Sequence, residues 1–206
     1  MIKAEHFWLH QLFFRNYFRY ILWKDFRKTE VRGEYRDRGL PLLVIGNHIS
    51  WWDGFFSYEL NRSLFKRRFY LMMLGEQLRK ISFFRRLGAF SIDPGSRSAL
   101  QSVSYAAEIL QSTDNMLILF PQGKIQSQYT TEIVFLKGWF RILKNAATPV
   151  HVLFLANLTD YFSHRKPSVY MYMEDYPRSE GFIFDDLCKS YNHFYQRCIE
   201  QQKQLS

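Results

Sequence analysis

Pro41-Leu42-Leu43-Val44-Ile45-Gly46-Asn47-His48-Ile49-Ser50-Trp51-Trp52-Asp53 decides how the chain folds. Pro41 to Ile45 is an apolar run of strand length with no polar alternation, the pattern of a strand buried on both faces. Gly46-Asn47-His48 then forms a polar turn, and Asp53 to Phe65 reads as a helix. Strand, turn and helix in that order make half of a βαβ unit. The same grammar continues outward: strands at Arg68–Leu74, Met116–Phe120, Val150–Leu155 and Ser168–Met173, and helices at Arg97–Gln111 and Phe135–Asn145. From about Asp185 on, Leu187, Tyr191, Phe194 and Cys198 share one helical face. Short apolar strands alternating with helices predict an α/β fold with a mainly parallel central sheet flanked by helices.

N-terminal to this pattern, residues 7 to 23 mix Phe7, Leu12, Phe14, Phe18, Ile21 and Leu22 with Arg15 and Arg19. Such a segment reads as an amphipathic helix in a membrane interface, with a helix packed on the domain core as the alternative. The expected organisation is an interfacial helical segment over 1–30 followed by one domain over 31–206.

The whole chain has 206 residues, a formal charge of +9 and 18% aromatic content. It is long enough to bury a core, and disorder is not expected. Residues 1–39 hold nine basic and five acidic side chains, and residues 62–97 hold nine and two, so these two segments account for the whole excess. That concentration points to a polyanionic partner: nucleic acid, anionic lipid headgroups or a phosphorylated carrier such as coenzyme A. Helix-turn-helix, RRM and zinc patterns are lacking, and no nucleic acid is expected. Cys188 and Cys198 suggest neither a disulfide framework nor a zinc site. No run approaches the roughly 18 apolar residues of a spanning helix, and the first residues lack a signal-peptide pattern.

In a parallel sheet, chemistry gathers in the loops at the carboxyl ends of strands. The loop after the first strand holds His48 and Asp53. On a regular helix a five-residue step turns about 140°, so only a turn entering the helix would join them. Joined, Asp53 would fix one ring nitrogen and leave the other as a base. The loop after Leu117-Ile118-Leu119-Phe120 is Pro121-Gln122-Gly123-Lys124, whose open N–H groups and cation suit an anion or a developing oxyanion. Each loop alone also fits a structural role, a packed His with a helix-starting Asp or a plain turn with an exposed lysine.

Taken together, these residues resemble the 1-acylglycerol-3-phosphate acyltransferase family. Its first block is matched by Asn47, His48, Ser50 and Asp53, and its second by Gly88-Ala89-Phe90-Ser91-Ile92-Asp93. The third appears as Phe120-Pro121-Gln122-Gly123-Lys124-Ile125, and the fourth as Lys137-Gly138 with Thr148-Pro149-Val150-His151-Val152. The resemblance implies transfer of a fatty acyl group from the thioester of acyl-CoA or acyl carrier protein to a hydroxyl or amine of a lipid acceptor. His48 would act as general base and Asp53 would orient it. Asn47, Ser50, Asp93, Arg97, Phe120, Pro121, Gln122, Gly123 and Lys124 would bind substrate. No metal and no cofactor beyond the thioester cosubstrate are implied. The expected setting is the cytoplasmic face of an anionic membrane, held peripherally or monotopically. Pro94, Gln122 and Ile125 stand where the family has Arg, Glu and Arg, and two guanidiniums are the donors best suited to phosphate. An acceptor other than lysophosphatidic acid is therefore expected, such as a lyso-aminolipid, a glycolipid or a pigment hydroxyl, with a conventional lysophosphatidic acid acyltransferase making phosphatidic acid as the alternative. Trp51, Trp52, Phe55 and Phe56 would wall an acyl chain or belong to the core. Lys66-Arg67-Arg68, Arg79-Lys80 and Arg85-Arg86 would meet headgroups or the carrier's phosphates. A catalytically idle membrane-surface scaffold is the reading of another class.

Overall fold

A computed structural model describes residues 1–205. Seven strands form one sheet: β1 (Lys28–Arg32), β2 (Leu42–Gly46), β3 (Arg68–Leu74), β4 (Ala89–Ile92), β5 (Asn115–Leu119), β6 (His151–Asp160) and β7 (Ser168–Asp175). Their order across the sheet is β1-β7-β6-β2-β5-β3-β4. All neighbours run parallel except the β6–β7 hairpin, so β1 and β7 point opposite to the other five. The fold is the expected mainly parallel α/β architecture.

β2 lies central and all five of its residues are buried. Leu42 and Val44 face one core cluster, while Leu43 and Ile45 face the other. The first cluster is covered by α1 (Trp8–Asp25) and α2 (Asp53–Leu60), through Phe18, Leu22, Phe55 and Phe56. The second is covered by α4 (Ser98–Ile109) and α6 (Phe184–Lys203), through Val103, Ala107, Leu187 and Tyr191. Between β3 and β4 lie the short helix α3 (Gly75–Lys80) and a 3₁₀ turn at Ser82–Arg86.

Four local expectations change. The helix expected over Asp53–Phe65 is α-helical to Leu60 and then opens into a π-turn at Asn61–Phe65, closed by Lys66 in the left-handed conformation (φ 56°). The stretch Phe135–Asn145 contains a 3₁₀ turn at Lys137–Phe140 and only five residues of α5 (Arg141–Asn145). β4 and β1 were not legible as strands. β1, Lys-Thr-Glu-Val-Arg, is a charged edge strand on β7, and the boundary placed at residue 30 falls inside it.

α1 packs one face on the domain core, the alternative reading of its segment. Phe18 and Leu22 are buried, with the Phe18 ring edge-on to Phe55 and Tyr58 at 4.7 and 5.3 Å. Trp8, Leu9, Leu12, Phe13, Tyr17, Tyr20 and Trp23 lie on the opposite arc at helical spacing, and all are exposed. The outward face of this helix is thus rich in aromatic and aliphatic side chains, with the exposed Asn16, Arg19 and Lys24 among them.

Candidate active site

At the carboxyl end of β2 the main chain leaves the sheet, and the side chain of Asn47 continues the ladder in its place. Its Nδ2 donates to the Asn157 carbonyl on β6 (2.9 Å), and its Oδ1 accepts from the Asn157 N–H (2.8 Å). Asn47 is fully buried, so its amide groups must be paired in this way. The bracket sets where the turn to His48 begins.

Asp53 opens α2 and is likewise fully buried. Its Oδ2 accepts from the N–H groups of Ile49 and Ser50 (2.8 Å each) and stands 2.9 Å from Nδ1 of His48. Its Oδ1 accepts from Asn157 Nδ2 at 3.2 Å. Three of these partners are N–H donors, and a carboxylate that only accepts pairs with Nδ1 of His48 in the tautomer that carries its proton there. The helix start favours the negative charge as well. His48 and Asp53 therefore meet through a turn, not on one helical face.

Nε2 of His48 has no partner among the described residues, and the side chain is 21% exposed against 0% for Asp53. The imidazole stacks on Phe120 with centroids 4.6 Å apart and a 16° interplanar angle. Gly46 makes room for that ring, because a Cβ there would lie 3.0 Å from Phe120 Cε1. The main chain of His48 is clamped from both sides by the turn after β5. Gln122 Oε1 accepts from the His48 N–H at 2.5 Å, the Gln126 N–H donates to the His48 carbonyl at 2.9 Å, and Gln122 Nε2 donates to Gln126 Oε1 at 2.6 Å.

The structure thus brings together Asn47, His48, Ser50, Asp53, Phe120 and Gln122. Gln122 is buried with its carboxamide committed to the loop, a positioning place more than a substrate-facing one. Ser50 Oγ accepts from the Trp52 N–H (3.1 Å) and tightens the same turn. Pro121 is buried, while Gly123 (φ +68°) and Lys124 are exposed next to it. Asp93 and Arg97 make no hydrogen bond to this cluster. Asp93 lies after β4, 3.6 Å from Arg79, in space left by Gly75, where a Cβ would come within 2.1 Å of its Oδ1. Arg97 is exposed at the start of α4. Trp52 packs edge-on to Phe26 and Trp51 edge-on to Phe84, and Trp51 keeps 45% exposure.

Two contributors escaped the sequence reading. Asn157 carried one visible signal, a lone amide inside the buried run Val152–Leu158, where an unpaired polar group would be costly. Gln126 carried none. No group of three or more His, Cys, Asp or Glu among the described residues is arranged to hold a metal. Burial pushes the thiols of Cys188 and Cys198 up to about 11 and about 12, so neither is a thiolate at neutral pH.

A search of curated proteins finds no match. Among solved structures, the crystal structure of the 1-acyl-sn-glycerophosphate (LPA) acyltransferase PlsC from Thermotoga maritima superposes with a TM-score of 0.59 at 19% identity. The alignment covers 95% of this chain and 79% of that one, and it establishes a shared fold. The sequence model of the Acyltransferase family matches residues 28–155. That span begins at β1, contains the His48–Asp53 turn and the Phe120–Gln126 clamp, and ends inside β6. Because the match extends over more than half of the chain, the protein belongs to the acyltransferase family and is an acyltransferase.

Proposed function

We propose that the protein moves a fatty acyl group from the thioester of acyl-CoA or acyl carrier protein to a hydroxyl or amine of a lipid acceptor at a membrane surface. The observation that carries this reading is the asymmetry of the His48–Asp53 pair: Nδ1 is engaged and Nε2 is open. A neutral imidazole in that tautomer is a base. Nε2 takes the acceptor's proton as its oxygen or nitrogen bonds to the thioester carbonyl carbon. The tetrahedral oxyanion then collapses, the carbon–sulfur bond breaks, and the leaving thiolate takes the proton back from the imidazolium. Asp53 holds the tautomer and stabilises the imidazolium, and Asn157 positions Asp53. The backbone N–H groups of Lys124 and Ile125 have no partner among the described residues, and with the Lys124 ammonium they are suited to the oxyanion.

The acceptor is read as something other than lysophosphatidic acid. Pro94 and Ile125 supply no guanidinium, and Gln122 is turned into the loop. The membrane setting draws support from the outward aromatic arc of α1 and the basic flank of Arg15 and Arg19. No helix among the described residues is long and apolar enough to cross a bilayer, which suits a peripheral or monotopic attachment. Soluble thioester donors suit the cytoplasmic face.

Purified protein assayed with acyl-CoA and acyl carrier protein against lysophosphatidic acid, lyso-aminolipids and glycolipids tests both parts. His48→Ala is expected to lose at least ~10²-fold in rate. A wild-type rate in that variant overturns the base assignment, and absence of acyl transfer by the wild-type protein with every donor and acceptor favours the idle scaffold. Efficient turnover of lysophosphatidic acid overturns the acceptor assignment alone.

A further inference from the structure

At the end of the sheet opposite His48, a groove of about 790 Å³ lies between α1 and the start of β3. Five cations line it, Arg15, Arg62, Lys66, Arg67 and Arg68, and none of the lining residues is Asp or Glu. Two are neutralised from outside the groove, Arg62 by Glu59 and Arg67 by Asp37. Arg15, Lys66 and Arg68 have no carboxylate partner among the described residues. Most of the remaining basic segment behaves differently. Arg79 is near Asp93, Lys80 pairs with Glu76 and Arg85 with Glu5, while Arg86 bonds His10 and Arg97, exposed at the start of α4, has no carboxylate partner among the described residues. Arg15, Lys66 and Arg68 are the unpaired cations that one groove brings together.

The turn that presents these cations is built. The side chain of Asn61 brackets Arg67, donating to its carbonyl (2.8 Å) and accepting from its N–H (3.2 Å), while the Lys66 N–H bonds the Asn61 carbonyl (2.6 Å). Lys66 is held at φ 56°, where non-glycine residues are uncommon and such strain gathers at functional sites. It closes a π-turn, another feature frequent at such sites. The rim of the groove is Trp8 (67% exposed) and Leu12 (45%), the N-terminal members of the outward apolar arc of α1.

We propose that this groove takes the phosphate of an anionic membrane phospholipid, a second lipid site remote from the acyl-transfer centre. The phosphate sits among Lys66, Arg68 and Arg15, and its lipid continues along Trp8 and Leu12 into the apolar layer that receives α1. Continuity with that arc is what assigns the phosphate to a lipid and not to a soluble carrier. The inference rests on the reading that α1 lies on a membrane.

Cosedimentation of the full-length protein with phosphatidylcholine vesicles, and with the same vesicles containing phosphatidylglycerol, tests it. Lys66→Gly removes the cation while glycine accepts the left-handed backbone, so folding is preserved. Each surface cation is worth about fivefold in affinity for an anionic surface, so Lys66→Gly is expected to weaken binding to phosphatidylglycerol about 5-fold and Arg15→Gln/Lys66→Gly roughly 25-fold. Binding to phosphatidylcholine alone stays unchanged. Lys144→Gln/Lys189→Gln, which removes equal charge from the other side of the sheet, should keep wild-type binding. The proposal is overturned if the groove variants bind like wild type, if the control loses as much as they do, or if millimolar coenzyme A displaces the wild-type protein from the vesicles. Failure to bind either kind of vesicle removes the membrane reading and this site with it. Acyl transfer and its loss in His48→Ala would be unaffected, so the two failures are distinguishable.

Discussion

Two His–Asp pairs occupy opposite ends of the same sheet, and they are inverted with respect to burial. In His48–Asp53 the acid is fully buried under four donors, and the imidazole is open at Nε2. In His151–Asp175 the imidazole is fully buried at the start of β6, with Nε2 2.7 Å from Asp175, and the acid is 26% exposed and held by Arg38 at 2.9 Å. The Nδ1 of His151 has no partner, and its ring stacks on Tyr35 at 5.8 Å. Burial pushes His151 below the ordinary histidine value, against the pull of Asp175. A His–Asp contact alone therefore does not define a base. The pair is fit for proton transfer where the acid is enclosed and the base reaches out, and serves as a clasp where the order is reversed.

The comparison breaks most sharply on removal of the imidazoles. His48→Ala should abolish at least ~10²-fold of the rate with little change in stability, because the ring is partly exposed. His151→Ala should leave the rate of folded enzyme within a few-fold and lower stability by about 1–3 kcal/mol, the scale of a lost buried hydrogen bond. Kinetics and urea unfolding on both variants decide this, and equal rate losses would erase the distinction.

Next in size is Asn157, which only the first pair possesses. Asn157→Leu removes the donor to Asp53 Oδ1, and hydrogen bonds to charged groups are worth about 1.5–3 kcal/mol, so the rate should fall roughly 10- to 100-fold. Asn157→Asp sharpens the point. Two carboxyls about 3 Å apart share a proton, so the variant's rate–pH optimum should move to lower pH than that of wild type. The rate should fall as pH rises and the shared proton is lost, and fall again at low pH where the imidazole base is protonated. A rate–pH profile parallel to wild type would reduce Asn157 to packing.

Gln122→Ala leaves the His48 N–H and the Gln126 amide unpaired. The expected loss is about 1–3 kcal/mol of stability, with a lower kcat and little change in KM, measured by thermal unfolding and steady-state kinetics.

The smallest effect is on pH. A buried His whose folded value lies below its unfolded value of 6.5 contributes its full stability above about pH 6.5, and that contribution is lost as pH falls below it. His6 is lowered in the same direction, chiefly by burial, and adds to the slope. His151→Leu should flatten the stability–pH curve below pH 6.5 without abolishing it. An unchanged slope would show that the clasp does not titrate.

Much of the fold was legible because β2, β5 and β6 are near-continuous apolar runs whose signal is local. β1 was not, since Lys-Thr-Glu-Val-Arg has the composition of a loop and becomes a strand only by pairing with β7. In the site, His48, Asp53 and the Phe120–Gln122 turn were readable from residue type and order. Asn157 was not, because it meets Asp53 across a separation of 104 residues. The basic segment was readable as charge but not as a groove, since which cations stay unpaired depends on where Glu5, Asp37, Glu59 and Glu76 fall in space.

By itself the amino-acid sequence determined the α/β class, the family, the candidate base and acid, and the regional excess of charge, all carried by local pattern and residue chemistry. Only the tertiary structure decided that Asp53 is enclosed while His48 Nε2 is open, that Gln122 faces the loop, that His151 is a clasp, and that α1 turns its aromatic arc outward. Burial and hydrogen-bond partnership are properties of neighbours brought together by the sheet, and no single segment contains them.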